Sequence, residues 1–195
     1  MPQGGSRERV SAEKRYEEYA YVVDFLPHGR AGARSGYRAG ALVQLVGEEY
    51  FTILEAIIKE GLVAKTGDRL YVGKEERKEV TYIMGRIGFD ELTSTAKMEL
   101  SNVVEKIILN REKWFVNFFN TAQAITPRMH ALELIPGIGK KYMWQIINER
   151  EKKPFERFDD LQNRASIPNP AKLIAKRVLE ELEGESKYRL YTRAP

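Results

Sequence analysis

The sequence predicts an α+β protein, with a small N-terminal β-barrel over residues 16–90 and an all-helical domain over residues 91–186. Three observations predict it. Short apolar runs of period two, parted by turn residues, fill residues 16–90. The apolar period becomes helical near Thr93. Two similar helical hairpins then follow at a shift of 32 residues. Residues 1–15, rich in Gly, Ser and charge, read as a disordered N-terminal segment, and residues 187–195 as a basic and aromatic tail.

The strands come first. In Tyr19–Leu26 the alternation puts Tyr19, Tyr21, Val23 and Phe25 on one face, and Pro27-His28-Gly29 ends the run. Ala41–Val46 and Tyr50–Ile58 are two more apolar, β-branched runs, joined by a hairpin turn at Gly47-Glu48-Glu49. Ile53–Lys59 fits a helix equally well. A fourth strand is expected near Arg69–Val72 and a fifth at Val80–Met84. Five short strands suit a small barrel of OB or SH3 type. The boundary falls between Gly88 and Ser94. Beyond it, Val104, Ile107, Ile108, Phe115, Phe118 and Phe119 keep helical spacing, so Ser101–Gln123 reads as one long amphipathic helix capped by Ser101. Its Trp114 and phenylalanines read as core.

Composition narrows the function. The chain has 195 residues, no cysteine and two histidines, His28 and His130, which removes disulfides, thiolate chemistry and Cys/His or three-His zinc sites. No apolar run approaches the roughly 18–20 residues of a membrane span, and the N-terminus lacks the apolar core of a secretory signal. A cytoplasmic protein with no membrane partner, metal or cofactor is expected. Residues 1–90 hold 14 Lys/Arg and 14 Asp/Glu, which leaves 18 and 14 for residues 91–195. The whole net charge of +4 therefore lies in the C-terminal half and points to an anionic partner there.

The segment Ala131–Ile147 carries the strongest signal. A short helix ends near Ile135, Pro136 cannot extend it, and Gly137 and Gly139 permit a tight turn with φ > 0. A second helix starts near Lys140, with Met143, Ile146 and Ile147 on its buried face. Its first-turn N–H groups have no intrahelical acceptor and form an anion site beside Lys140 and Lys141. This segment resembles the helix-hairpin-helix nucleic-acid-binding motif, matched at Ile135, Pro136, Gly137, Ile138, Gly139 and Lys140.

A shift of 32 residues aligns that turn with Ile167-Pro168-Asn169-Pro170-Ala171-Lys172, and Tyr142, Met143, Ile146 and Ile147 with Ile174, Ala175, Val178 and Leu179. Tandem hairpins of this kind pair about a pseudo-twofold axis and straddle a duplex. Asn169 tolerates φ > 0. Pro170 lacks an N–H and Ala171 adds a Cβ, so the second turn is the weaker anion site. Lys172, Lys176 and Arg177 are expected as diffuse phosphate contacts. Between the hairpins, Asp159 is the candidate cap of a helix.

The chain over most of residues 16–193 also resembles the archaeal DUF655 family, described as predicted RNA-binding. The residues that carry this are Gly47–Thr52, Leu92–Lys97, the first hairpin and Lys153–Glu156. The resemblance implies an OB-like N-terminal domain followed by tandem helix-hairpin-helix units. RNA is favoured over DNA as partner on that description alone.

Two further segments have two readings each. The Gly/Arg stretch 28–40 places Arg30, Arg34 and Arg38 between the first two strands, either to track a nucleic-acid backbone or as a solvated connection. The tail Lys187–Arg193 either ties the domains together or stacks bases. An enzyme is the competing function. Some DNA glycosylases resemble this hairpin, with a lysine nucleophile in it and an aspartate 18 residues on, a spacing met by Lys141 and Asp159. Those enzymes are all-helical, whereas residues 16–90 read as β. The function expected is therefore a non-catalytic, largely sequence-independent nucleic-acid-binding protein, with no catalytic residue. A nuclease or a glycosylase/lyase that docks through the hairpins is the alternative.

Overall fold

The computed structural model describes residues 16–29, 41–184 and 186–193; the disordered segment expected at 1–15 and the Gly/Arg stretch at 30–40 lie outside them. Five strands form one sheet: β1 (Tyr19–Leu26), β2 (Leu42–Gly47), β3 (Ile53–Ile58), β4 (Arg69–Tyr71) and β5 (Val80–Arg86). The ambiguous run at Ile53 is a strand, because both neighbours supply ladder partners: Ile57 pairs with Leu42 on β2 and with Tyr82 on β5. The order is β4-β1-β2-β3-β5, every neighbouring pair is antiparallel, and β4 and β5 are the free edges. The sheet is thus a curled half-barrel, where the sequence pattern suggested a small barrel.

Strand β1 departs from strict alternation. Its register against β2 shifts between Val22 and Asp24. The extra residue of a bulge reverses which face the following side chains take. Tyr21 and Val23 pack toward the helices, but Phe25, expected beside them, packs against the opposite cluster with Val43 and Leu45. Asp24 takes the helix side instead, and its Oδ2 accepts from Thr93 Oγ1 at 2.5 Å.

That contact fixes the start of the helical half. Thr93 Oγ1 also accepts from the Ala96 N–H at 3.0 Å, so Thr93 caps α1 (Ser94–Asn110). Ser101, the expected cap, is an exposed residue inside α1. The single long helix is also divided. It breaks at Arg111 (φ −115°, ψ 30°) and resumes as α2 (Glu112–Thr121). Arg111 Nη1 donates to the Glu48 carbonyl at 2.5 Å, which ties the break to the β2–β3 turn. The change of direction lets Phe115, Val116 and Phe119 enter the core while Trp114 stays 46% exposed.

Beyond α2 come β6 (Ala124–Thr126) and β7 (Met129–His130), then α3 (Lys140–Lys152), α4 (Phe158–Ala165) and α5 (Pro170–Leu182). Two apolar clusters result. The smaller fills the inside of the curl, with Val22, Val43, Leu45, Leu54, Leu70 and Val80. The larger joins Tyr21, Val46, Phe51 and Ile53 on the other face of the sheet to all five helices. Buried Gln44 bridges the halves, donating to Glu55 Oε1 at 2.9 Å and accepting from the Thr93 N–H at 2.9 Å. No helix among the described residues is long and apolar enough to cross a membrane.

Candidate nucleic-acid interface

The first hairpin is built by local chemistry. The short helix that ends near Ile135 is a 3₁₀ turn at Ala131–Leu134, capped by His130, whose Nδ1 accepts from the Leu132 N–H at 3.1 Å. The Glu133 carboxylate accepts from the His130 N–H at 2.9 Å. Burial, reinforced by the nearby Arg150 charge, lowers the His130 pKa; Glu133 opposes this. The chain then turns through Pro136 to Gly139, closed by a bond from the Ile138 N–H to the Ile135 carbonyl at 3.0 Å.

The two glycines of the turn differ. Gly137 has φ +88°, a conformation that favours glycine. Gly139 has φ −87° and ψ −176°, ordinary extended backbone, and a Cβ built on it meets nothing within 4 Å. Gly139 therefore does not serve the positive φ expected of it; it leaves open space at the mouth of α3. Lys140 and Lys141 are exposed there, and the Lys140, Lys141 and Tyr142 N–H groups have no acceptor among the described residues. Ile138, 3% exposed, is an apolar anchor and takes no outward part through its side chain, while Pro136 is half-buried.

The second turn follows the same path with different residues. Ser166 (φ 55°) and Asn169 (φ 49°) supply the left-handed positions, and Pro170 begins α5 at the site where its missing N–H costs nothing. Ala171 is 4% exposed, so its Cβ packs inward and does not obstruct an anion as expected. Lys172 and Lys176 are exposed one turn apart on α5. The two turns lie close together. A Cβ on Gly137 would stand 3.4 Å from Leu173 Cδ2, and Gln145 Nε2 donates to Ser166 Oγ at 3.4 Å.

Arg177 is a correction. Only 7% exposed, it pairs through Nε with Glu181 Oε1 at 2.9 Å and donates through Nη2 to the Tyr188 carbonyl. Arg177 falls one residue before Val178, on the arc of α5 that the core covers, and Lys176 does not. Glu181, 0% exposed, also accepts from the N–H groups of Leu190, Tyr191 and Thr192. The tail is thereby folded onto α5. Tyr191 is buried beside Phe115, Phe118 and Trp114, and Arg193 lies 3.6 Å over the Tyr50 ring. Among the described residues the tail forms no strand, but it joins the two halves.

Of the remaining candidates, Arg30, Arg34 and Arg38 fall outside the described residues. Asp159 is exposed in the first turn of α4 and does not cap it; Asp160 accepts from the Glu156 and Arg157 N–H groups at 2.8 and 3.4 Å. Those backbone donors lower the Asp160 pKa. Lys141, its proposed catalytic companion, is also exposed. One exposed side chain escaped the sequence reading. Trp144, 58% exposed, lies on α3 three and four residues after Lys141 and Lys140, hence on their face of the helix. A helical wheel laid from Met143 and Ile146 would have placed it outward.

Residues 16–193 match the family described as "Protein of unknown function (DUF655)". The chain is 40% identical over 192 residues to "Uncharacterized protein MJ0038" of Methanocaldococcus jannaschii, covering 96% of this chain and 86% of that one. Its fold is similar to a solved structure, "Crystal structure of Af1531 from Archaeoglobus fulgidus, family-model DUF655", with TM-score 0.84, 47% identity, and coverage of 91% of this chain and 100% of that one. By sequence and by fold, the chain belongs to the DUF655 family.

Proposed function

We propose that this is a non-catalytic, largely sequence-independent nucleic-acid-binding protein of the cytoplasm that prefers RNA to DNA. It holds the phosphate backbone at Gly139–Lys141, in tandem helix-hairpin-helix units. One observation carries the reading: the mouth of α3 presents three unpaired N–H groups, two exposed lysines and open space over Gly139. Such a helix start attracts an anion, and backbone N–H groups read phosphate rather than base. Lys172 and Lys176, on the helix packed against Gly137, extend the basic surface toward the second turn. The half-barrel is the OB-like element of this reading, a partly open five-stranded sheet, with Arg30, Arg34 and Arg38 in the connection between β1 and β2.

Fluorescence anisotropy with a structured RNA and a duplex DNA of matched length, across a salt series, tests it. We expect tighter binding to RNA and contact with about 3–6 phosphates, each adding roughly 0.7–0.9 to the log–log salt slope. An affinity that ignores salt, or one that collapses on a single base change, would reject the reading.

A further inference from the structure

The free edges of the half-barrel frame a cleft. It has a volume of about 230 Å³ and is lined by residues that include Tyr16, Leu54, Val72, Lys74, Ile83 and Arg86. Val72, Gly73 and Lys74 follow β4, whereas Ile83 and Arg86 belong to β5, so the cleft lies in the open seam between the two edges. Leu54, Val72 and Ile83 make an apolar floor continuous with the core inside the curl.

The walls are basic and aromatic. Lys74 Nζ lies 4.5 Å over the ring of Tyr16, itself 47% exposed. Arg77 Nε donates to the Gly73 carbonyl at 2.8 Å. Arg86 is exposed and has no ion-pair partner among the described residues. The one carboxylate in the lining, Glu17, is 6% exposed and already accepts from the N–H groups of Glu49, Tyr50 and Thr52 at 2.8, 3.1 and 3.0 Å. Glu75 and Glu76 neighbour Lys74 in sequence but stand outside the lining. Three cations thus face one engaged carboxylate across an apolar floor.

We propose that this cleft binds a nucleoside monophosphate unit. The planar base rests on Leu54, Val72 and Ile83 against Tyr16, and the phosphate meets Arg86 and Lys74. Base–aromatic contact and paired cations are the two chemistries such a ligand needs. At about 230 Å³ the open cleft lies below the roughly 300 Å³ at which enclosed organic-ligand sites begin, so it covers part of one nucleotide and leaves the rest in solvent. The unit comes either from a free nucleotide or from an unpaired nucleotide of a strand. The site is separate from the first hairpin and stands whether or not the hairpin holds phosphate.

Calorimetry on the full chain tests the proposal with adenosine monophosphate, adenosine, inorganic phosphate and a single-stranded tetranucleotide. We expect the monophosphate to bind at least roughly tenfold more tightly than adenosine or phosphate alone. Arg86→Gln and Lys74→Gln, both at exposed positions, should each weaken it roughly 3–10-fold with the fold intact by circular dichroism. If the tetranucleotide displaces the monophosphate and loses affinity in the same variants, the source is a strand; if it does not displace it, the source is a free nucleotide. No binding of the monophosphate, binding no tighter than that of inorganic phosphate, or binding indifferent to both variants overturns the proposal.

Discussion

Arg177 and Glu181 form a buried ion pair one helical turn apart, Nε to Oε1 at 2.9 Å, with side chains 8% and 0% exposed. The pair withdraws Arg177 from any ligand and uses Glu181 as the acceptor that folds residues 190–192 onto α5. Removing one partner of such a pair leaves the other charged and dry. Glu181→Ala should cost about 3–5 kcal/mol and free the tail, read as a lower urea midpoint and altered Trp114 fluorescence. Arg177→Lys should lower stability too, yet leave the salt slope of nucleic-acid binding unchanged; a shallower slope would return Arg177 to the interface.

Gly137→Ala and Gly139→Ala should separate stability from binding. Alanine at Gly137 must adopt φ +88° with Leu173 3.4 Å away, at a cost of about 1–2 kcal/mol in denaturant unfolding. Alanine at Gly139 fits the backbone and meets nothing, so the fold should lose only about 0.5 kcal/mol, the difference between glycine and alanine at a helix cap. The added methyl still stands at the mouth of α3. RNA affinity unchanged in a folded Gly139→Ala protein would show that this turn is not the phosphate clamp.

Lys141→Gln tests the enzyme alternative. The salt slope should fall by one phosphate's worth, roughly 0.7–0.9, with no chemistry lost. Borohydride trapping on duplexes with abasic sites or damaged bases should yield no adduct. A covalent protein–DNA adduct that disappears in Lys141→Gln would make the protein a glycosylase or lyase.

His130 should make the first hairpin sensitive to acid. Its pKa is lowered in the fold from the ordinary 6.5, chiefly by burial. The unfolded chain then takes up the proton first, and stability falls as pH drops through about 6.5. Protonation also removes the Nδ1 lone pair that accepts from the Leu132 N–H. Thermal melts from pH 7.5 to 5.5 should show a larger drop for wild type than for His130→Asn, which keeps an acceptor but does not titrate there. Equal drops would place the acid sensitivity elsewhere.

Tyr191→Phe should be neutral or stabilising by up to about 1 kcal/mol. The hydroxyl is buried without a partner among the described residues, and burial pushes its pKa well up. A marked loss of stability on deleting it would mean that the hydroxyl is paired after all.

Much of this molecule is legible in the chain. Alternation places β1, and short apolar, β-branched runs between turn residues place the other strands, with Ile53–Lys59 decided only by its ladder partners on β2 and β5. The Pro-Gly-Ile-Gly-Lys turn is legible because proline and glycine act on the backbone locally; Asn169 likewise takes φ +49° where glycine stands in the first hairpin. What escaped depends on partners distant in sequence. The bulge that turns Phe25 inward answers to Asp24 meeting Thr93, 69 residues on. The break at Arg111 answers to the Glu48 carbonyl, 63 residues back.

The sequence by itself determined that five strands precede a helical half, the Pro136–Gly139 turn and the excess of positive charge in the second half, because periodicity, turn chemistry and composition are properties of short stretches. Only the tertiary structure decided which basic residues face outward. Lys176 and Arg177 are neighbours in the chain and equally cationic, yet the arc of α5 packed against the core takes Arg177 inward, where Glu181 compensates its charge, and leaves Lys176 in water. Tertiary structure alone also drew Tyr16, Leu54, Lys74 and Arg86 into one cleft. Those residues span 71 positions, and they meet because the curl of the sheet leaves β4 and β5 facing across an open seam.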